Sequence, residues 1–423
     1  MAQRSGHSAA ERGHVKGQLE QRVLVLVTLG LVAFGLVMVF SATSAAAALG
    51  EGDPMRFLVK QGAYALAGAV LLAFFARTDY HRWRLFAPTL LVAALGLCML
   101  VLAIGPAING ARRWFLLGPA SFQPSELAKL AVCVWVCAYL ARRPAPQTFG
   151  ELLKPIGLVV AVFAGLILVQ PDLGTTISLL LMVAGVLIVS GLPLRLLLTA
   201  GCAAVALGTA AIWLEPYRRA RLFAFLDPTQ DPEGAGYQSL QAVIGIGSGG
   251  LTGNGLGGGV QKINFLPEAH TDMIFAVVGE ELGLLGSIGV VAGFAAFAWA
   301  GYRVALRCRD AFGKRLAVGI TTLICGQAAV NLAAVLGIAP LTGIPLPFVS
   351  YGGSSLVVLL AAVGVLLNIA VNERVVATRV PDSSRRDRRA RAASTRRRRR
   401  AASARSARDA RRVARARRVA AGS

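Results

Sequence analysis

Residues Lys262–Gly283 read KINFLPEAHTDMIFAVVGEELG. A polar loop enters a long apolar segment here. Glu268, His270, Thr271 and Asp272 crowd against the first turn of that segment, and Glu280 and Glu281 follow inside it. Ionisable groups at or within a membrane span are costly and mark functional sites. The stretch therefore predicts a membrane helix whose entrance carries chemistry, with the rest of the chain as the scaffold that holds it at a membrane surface.

The composition around it agrees. The 423 residues are 55% hydrophobic and 15% charged, with a mean hydropathy of +0.62. That excludes an ordinary soluble domain of this length. Repeated apolar runs of roughly 18–25 residues predict an all-α polytopic membrane protein with about ten transmembrane helices. A large extracytoplasmic loop, Glu215–Thr271, is expected between the seventh and eighth. The fourth run, Leu127–Leu140, is short for a span. Three regions are expected: a disordered cytoplasmic segment 1–21, a transmembrane domain 22–373, and a disordered cytoplasmic tail 374–423.

Charge sets the expected orientation. From Pro381 onward there are 17 Arg against three Asp, so +14 of the net +23 lies in the tail. Such low complexity cannot bury a core and is attracted to anionic inner-leaflet lipids. With the N-terminus inside, the inner loops hold Arg77, Arg82, Arg84, Arg142, Arg143, Lys154, Arg195, Arg303, Arg307, Arg309, Lys314 and Arg315. The outer loops hold fewer cations, so both termini are expected in the cytoplasm. Arg112, Arg113, Arg218 and Arg221 run against that bias. An anionic outer ligand is one reason for them. No cysteine falls in an outer loop, so no disulfide framework is expected.

Several polar positions have two readings. Ser125 caps the fourth helix after Pro124, and Glu126 and Lys129 share a face, either as an intrahelical ion pair or as part of a cluster facing a substrate cavity. Asp172, in QPDLGTT, either caps the sixth helix or points inward as a functional carboxylate. Asp272 divides in the same way between N-cap and catalytic group. Arg218, Arg219 and Arg221 lie among Tyr217, Phe223 and Phe225, which suits phosphate at a membrane interface or a polybasic rim on lipid headgroups. Gly245–Gly259 contains two formal GxGxxG matches, but no βαβ unit surrounds them. Its glycines are expected to let the backbone turn tightly or approach a ligand closely. Tyr237–Ile246 reads as a short surface helix. In Ala339–Ser355, APLTGIPLPFVSYGGSS, three prolines and three glycines forbid a regular helix. Non-helical backbone at membrane depth belongs beside a cavity, so Ser350, Tyr351, Ser354 and Ser355 are its candidate polar contacts.

Taken together, GLVMVFSATS, NGARRW, FQPSELAK, QPDLGTT, YRRARLFAFLDP, LPEAHTDMIFAVVGEELG and LPFVSYGGSS resemble the SEDS family of polytopic membrane proteins, which comprises FtsW, RodA and their sporulation relative. The motifs stand in family order from about Val23 to Glu373, and the division branch is the most similar. Met273 departs from the aromatic residue usual there. The resemblance implies a peptidoglycan glycosyltransferase at the division septum of the plasma membrane, with its active site on the extracytoplasmic face. Its substrates would be lipid II and the undecaprenyl-pyrophosphate-linked glycan. Asp272 matches the family's essential aspartate and would be the general base. Arg112, Arg113, Arg218 and Arg221, with a divalent cation (Mg2+ or Mn2+) at an unknown site, would stabilise the leaving pyrophosphate. Glu126, Lys129, Asp172, His270, Ser350 and Tyr351 would line the substrate cavity. The implied partners are a class B penicillin-binding protein, an FtsI-like transpeptidase, and other divisome proteins. The alternatives are an elongation polymerase like RodA, a lipid II flippase and a non-catalytic scaffold.

Overall fold

The computed structural model describes residues 4–48, 53–108, 110–118, 120–228, 234, 236–263 and 265–379. It is helical, in the order α1 (Arg4–Ala48), α2 (Pro54–Arg77), α3 (His81–Ile104), a hairpin β1 (Phe115–Leu117) and β2 (Ala120–Phe122), then α4 (Pro124–Leu140). There follow α5 (Phe149–Val169), α6 (Leu173–Val189), α7 (Leu194–Trp213), α8 (Pro216–Leu226), α9 (Tyr237–Ser248), α10 (Ile274–Arg307), α11 (Ala311–Val335) and α12 (Gly353–Arg379). The chain divides into two units, Met1–Glu373 and Arg374–Ser423. The Arg-rich tail expected to be disordered lies, beyond Arg379, outside the described residues.

Among the described residues, eight helices are long and apolar enough to cross a membrane. The expected ten include two more, α4 and α6, which have 17 residues each. Such a helix is about 25 Å long at 1.5 Å per residue, at the short end of the spanning range. The N-terminal segment expected to be irregular is helical from Arg4. Its Ala, Arg, Glu, Gln and Lys residues favour helix and continue α1. The hairpin, with β1 and β2 antiparallel and Phe115 paired to Phe122, is not anticipated by the all-helical reading. The large loop is also more regular than expected, since it holds α8 as well as α9.

Local signals explain most boundaries. Asp53 accepts a hydrogen bond from Met55 N (2.9 Å) with Pro54 in the first turn of α2, and Asp310 accepts from Gly313 N (2.8 Å) at the start of α11. The fourth helix is different from expectation. Its N-cap is Gln123, and Ser125 sits inside the first turn and caps nothing. Pro124 favours the first helical position, which moves the cap one residue ahead of it. The core lies between α1, α4, α6, α10, α11 and α12, where Leu24, Leu140, Leu179, Phe297, Phe312 and Leu366 are buried. By contrast α7 buries none of its residues.

The apolar run that begins at Ile274 is not one straight rod. At Gly283 (φ +62°) the backbone of α10 leaves helical geometry. The glycine-rich segment enters the break. Asn254 N donates to Glu280 O (3.0 Å) and Gly255 N to Glu281 O (3.0 Å), while Leu284 N donates to Gly250 O (2.9 Å) and Leu285 N to Leu251 O (3.2 Å). So the glycines do serve close approach, toward backbone rather than toward a ligand.

The Gly253→Ala substitution tests this insertion. Gly253 has φ +82°, and a Cβ there would meet the backbone of Glu281 and Leu282. It should lower stability by at least about 1 kcal/mol, read as the thermal unfolding midpoint in detergent. Gly247→Ala, inside α9 with open space around it, should be neutral or stabilising.

Candidate functional site

Asp172 and Asp272 start from similar local sequence and end differently. Asp172 caps α6, accepting from Thr175 N (3.0 Å) and from Thr175 Oγ1 (2.8 Å), with Gln123 Nε2 as a further donor (3.1 Å). Asp272 caps nothing. The N-cap of α10 is Met273, and no side chain caps that helix. The Asp272 carboxylate is only 8% exposed. The Thr271 hydroxyl lies 3.2 Å from its Oδ1 and 3.0 Å from Glu268 Oε2, between the two carboxylates. Arg221 approaches from α8. A methyl group placed on Gly343 would lie 3.9 Å from both Arg221 Nη1 and Asp272 Oδ2, so guanidinium and carboxylate converge on Gly343.

Burial raises the pKa of Asp272 to about 6, and the negative charge of Glu268 adds to the rise. The Arg221 cation opposes it. Burial also lowers the pKa of His270, against the pull of Glu268.

The main chain of this turn is held from behind. Asn331 Nδ2 donates to Asp272 O (2.7 Å) and to Ile344 O (2.8 Å). One helical turn away, Gln327 Nε2 donates to Pro345 O (3.0 Å) and its Oε1 accepts from Lys129 Nζ (2.7 Å). Lys129 pairs with Glu126 at 2.9 Å, and both are buried. The Glu126–Lys129 pair is thus intrahelical and also linked across to α11. Glu126 Oε2 and Asn331 Oδ1 are buried with no partner among the described residues. Tyr351 N donates to His270 O (2.9 Å), and the rings of Tyr351, His270 and Phe57 pack with centroids 5.2–5.5 Å apart. Glu268 (φ +56°) and Phe348 (φ +67°) hold left-handed backbone in the two segments around the site. Each costs about 1–3 kcal/mol, a strain typical of functional sites.

Asp272, Arg221, His270 and Tyr351 therefore come together, with Glu126 and Lys129 behind them. The other candidates are placed elsewhere by structural partners, and Arg221 itself also donates to a main-chain carbonyl, Leu341 O (3.4 Å). Ser350 is buried, its Oγ accepting from Leu346 N (2.8 Å). Arg112 donates to Leu102 O and Ala103 O at the end of α3. Arg113 donates to Gln170 O (2.6 Å) and Pro171 O (2.5 Å), and Arg218 to Leu168 O (2.6 Å) and Ala211 O (3.2 Å). The last carbonyls of a helix lack intrahelical donors and carry the negative end of its dipole. That gives these three arginines a reason independent of any ligand.

Sequence reasoning marked Glu268 as one of the ionisable groups crowding this turn but missed Phe57 and Gly343 at the site. Only Gly343 carried a signal, a glycine between prolines. Among the described residues, no group of three or more His, Cys, Asp or Glu side chains could hold a metal ion.

Comparison with known proteins places these features in context. The model of the FtsW/RodA/SpoVE family, described as a cell cycle protein, matches residues 21–375. A probable peptidoglycan glycosyltransferase FtsW of Geobacter sulfurreducens is 41% identical over 351 residues, covering 82% of this chain and 94% of the relative. That of Halomonas elongata is 40% identical over 378 residues, covering 87% and 95%. A chain from a peptidoglycan synthase complex that coordinates polymerization and crosslinking superposes with a TM-score of 0.69 at 36% identity, covering 83% of this chain and 97% of its own. The crystal structure of Thermus thermophilus RodA, a rod shape determining protein, superposes with a TM-score of 0.62 at 32% identity, covering 83% and 96%.

The buried carboxylate has a measurable effect on stability. A raised folded pKa means that the native state holds the proton more tightly than the unfolded chain. The ionised form therefore destabilises the fold fully above about pH 6, partly between 6 and 3.8, and not below. Asp272→Asn should raise stability at pH 8 by about 2–3 kcal/mol, with the gain shrinking through that window. Thermal unfolding of both proteins from pH 4 to 8 is the measurement.

Proposed function

The chain belongs to the FtsW/RodA/SpoVE family of cell cycle proteins, and from that premise we propose that Asp272 is the general base of a lipid II polymerase. The chain is a multi-pass membrane peptidoglycan glycosyltransferase of the FtsW type, active in peptidoglycan synthesis and cell division. The observation that carries the residue assignment is the contrast with Asp172. Asp272 stands at a helix start, buried, without capping that helix, and beside Arg221.

In this reading Asp272 takes the proton from the 4-hydroxyl of the lipid II GlcNAc. The oxygen attacks the anomeric carbon of the growing strand, the bond to undecaprenyl pyrophosphate breaks, and the configuration inverts. No covalent enzyme intermediate is needed. A base with a pKa of about 6 is ionised at neutral pH and still strong enough to accept the proton in the transition state. Arg221 is the cation near the base that stabilises developing negative charge. His270 and Tyr351, with Phe57, form the wall next to the acceptor. Glu126 and Lys129, through Gln327, hold the Pro345 segment that faces them. Arg112, Arg113 and Arg218 hold the helix ends that frame the site.

A divalent cation fits with Glu268 as its protein ligand, because Glu268 is exposed beside Asp272 and Mg2+ takes one or two carboxylates together with substrate phosphates. When bound, it supplies positive charge to the departing pyrophosphate. We place the site on the extracytoplasmic face with both termini in the cytoplasm, in keeping with the positive-inside rule. The chain would work at the septum beside a class B penicillin-binding protein, a reading supported by its likeness to a chain of a peptidoglycan synthase complex that coordinates polymerization and crosslinking.

The test is polymerisation of lipid II by the purified protein with its transpeptidase partner and Mg2+ or Mn2+. Wild type should make polymer, and folded Asp272→Asn should make none. Equal polymer from both removes Asp272 as the base. No polymer from either, with lipid II crossing liposomes, turns the assignment to a flippase. The rate of the wild type should fall about tenfold per unit below pH 6, as the base is protonated. In Arg221→Met that limb should move to higher pH, because Arg221 holds the Asp272 pKa down.

A further inference from the structure

The adjacent carboxylates Glu280 and Glu281 diverge. Glu280 accepts from Val260 N (2.7 Å) and Gln261 N (3.2 Å) of the loop that precedes Asp272. Glu281 pairs with Lys262 Nζ at 2.6 Å, and Ser41 Oγ of α1 lies 2.8 and 2.7 Å from its two oxygens. Lys262 Nζ also donates to Ser41 Oγ (3.1 Å). All three side chains are buried. Lys262 and Glu281 are 19 residues apart in sequence, and Asp272 lies midway between them.

Stability alone does not account for such a triad. Removing two charges from water costs several kcal/mol per ion, and a well-packed apolar pair of similar volume is often as stable or more so. Apolar side chains at these places would hold α1 against α10 equally well. What they would not supply is direction. An ammonium that must meet both a carboxylate and a hydroxyl admits one arrangement of loop and helices.

We propose that Lys262 and Glu281, with Ser41, are positioning residues for Asp272: their buried ion pair ties the loop that presents the carboxylate to α1 and to the first half of α10. The inference rests on Asp272 being the base. Loop and helix are then closed at two levels. Lys262–Glu281 and the Glu280 contacts form the base of the closure, and the Asn331 bond to Asp272 O forms its tip. A displacement of the carboxylate by about 1 Å is enough to lose roughly 100-fold in rate, while contacts to the rest of the substrate persist.

The experiment compares lipid II polymerisation, with the transpeptidase partner present, by wild type, the double variant Lys262→Met/Glu281→Met, and Lys262→Arg. The double variant removes both charges together and leaves neither buried alone. It should unfold at or above the wild-type temperature, while kcat falls about 100-fold and KM changes less than about twofold. Lys262→Arg should recover at least about tenfold of that loss, because it restores a cation to Glu281. Wild-type kcat in the double variant overturns the proposal. So does a kcat loss matched by loss of the folded protein, which would make the pair structural, and so does a rise in KM alone, which would make it a substrate contact. Full activity of Asp272→Asn would instead remove the base assignment, whatever the double variant does.

Discussion

Backbone amides and carbonyls have no water to turn to in a membrane, so a helix cannot be interrupted there unless another segment satisfies what the interruption frees. That constraint organises this molecule around Gly283. Breaking α10 releases the carbonyls of Glu280 and Glu281 and the amides of Leu284 and Leu285, and residues 250–255 bind all four. The glycines of that segment let two main chains approach without side chains between them. Once the segment is inserted, the following residues must return past the first half of α10. Asp272 is thereby held as the chain re-enters the bundle.

The same shortage of water explains the electrostatics. Helix ends here need donors that a soluble protein would draw from solvent, and the long arginines Arg112, Arg113 and Arg218 supply them. Buried acids need partners, and Glu126 and Glu281 each have a lysine. Asp272 lacks an equivalent pair. It has a hydroxyl at 3.2 Å, a cation close by and a second carboxylate that raises its proton affinity. The carboxylate whose proton affinity burial raises is thus one that no lysine neutralises.

Much of this was legible in the sequence. Hydropathy marked α2, α3 and α12, because a span is a local property of about 20 residues. The capping role of Asp172 was one of two readings, and QPDLGTT contains the threonine that it needs. Asp272 was not separable from Asp172 by such reasoning, since the difference lies in Arg221 and Gly343, which arrive from distant parts of the chain. The partners of Glu281 were equally hidden, with Ser41 240 residues away. The hairpin had a faint signal, apolar residues on either side of Gly118 and Pro119, but it was too short to stand against the helical runs. Ser125 was misread as a cap because the preference of Pro124 for the first turn was not followed to its consequence for Gln123.

The seventh helix buries none of its 20 residues. A helix with so little protein around it takes its tilt from the lipid, standing upright in a thick bilayer and leaning in a thin one. Two residues separate its end at Trp213 from α8, which carries Arg221. Hydrophobic mismatch at α7 would therefore press on α8 through that short link, against the bonds of Arg218 to Leu168 O and of Arg221 to Leu341 O, so bilayer thickness and acyl-chain length belong to the enzyme's working environment.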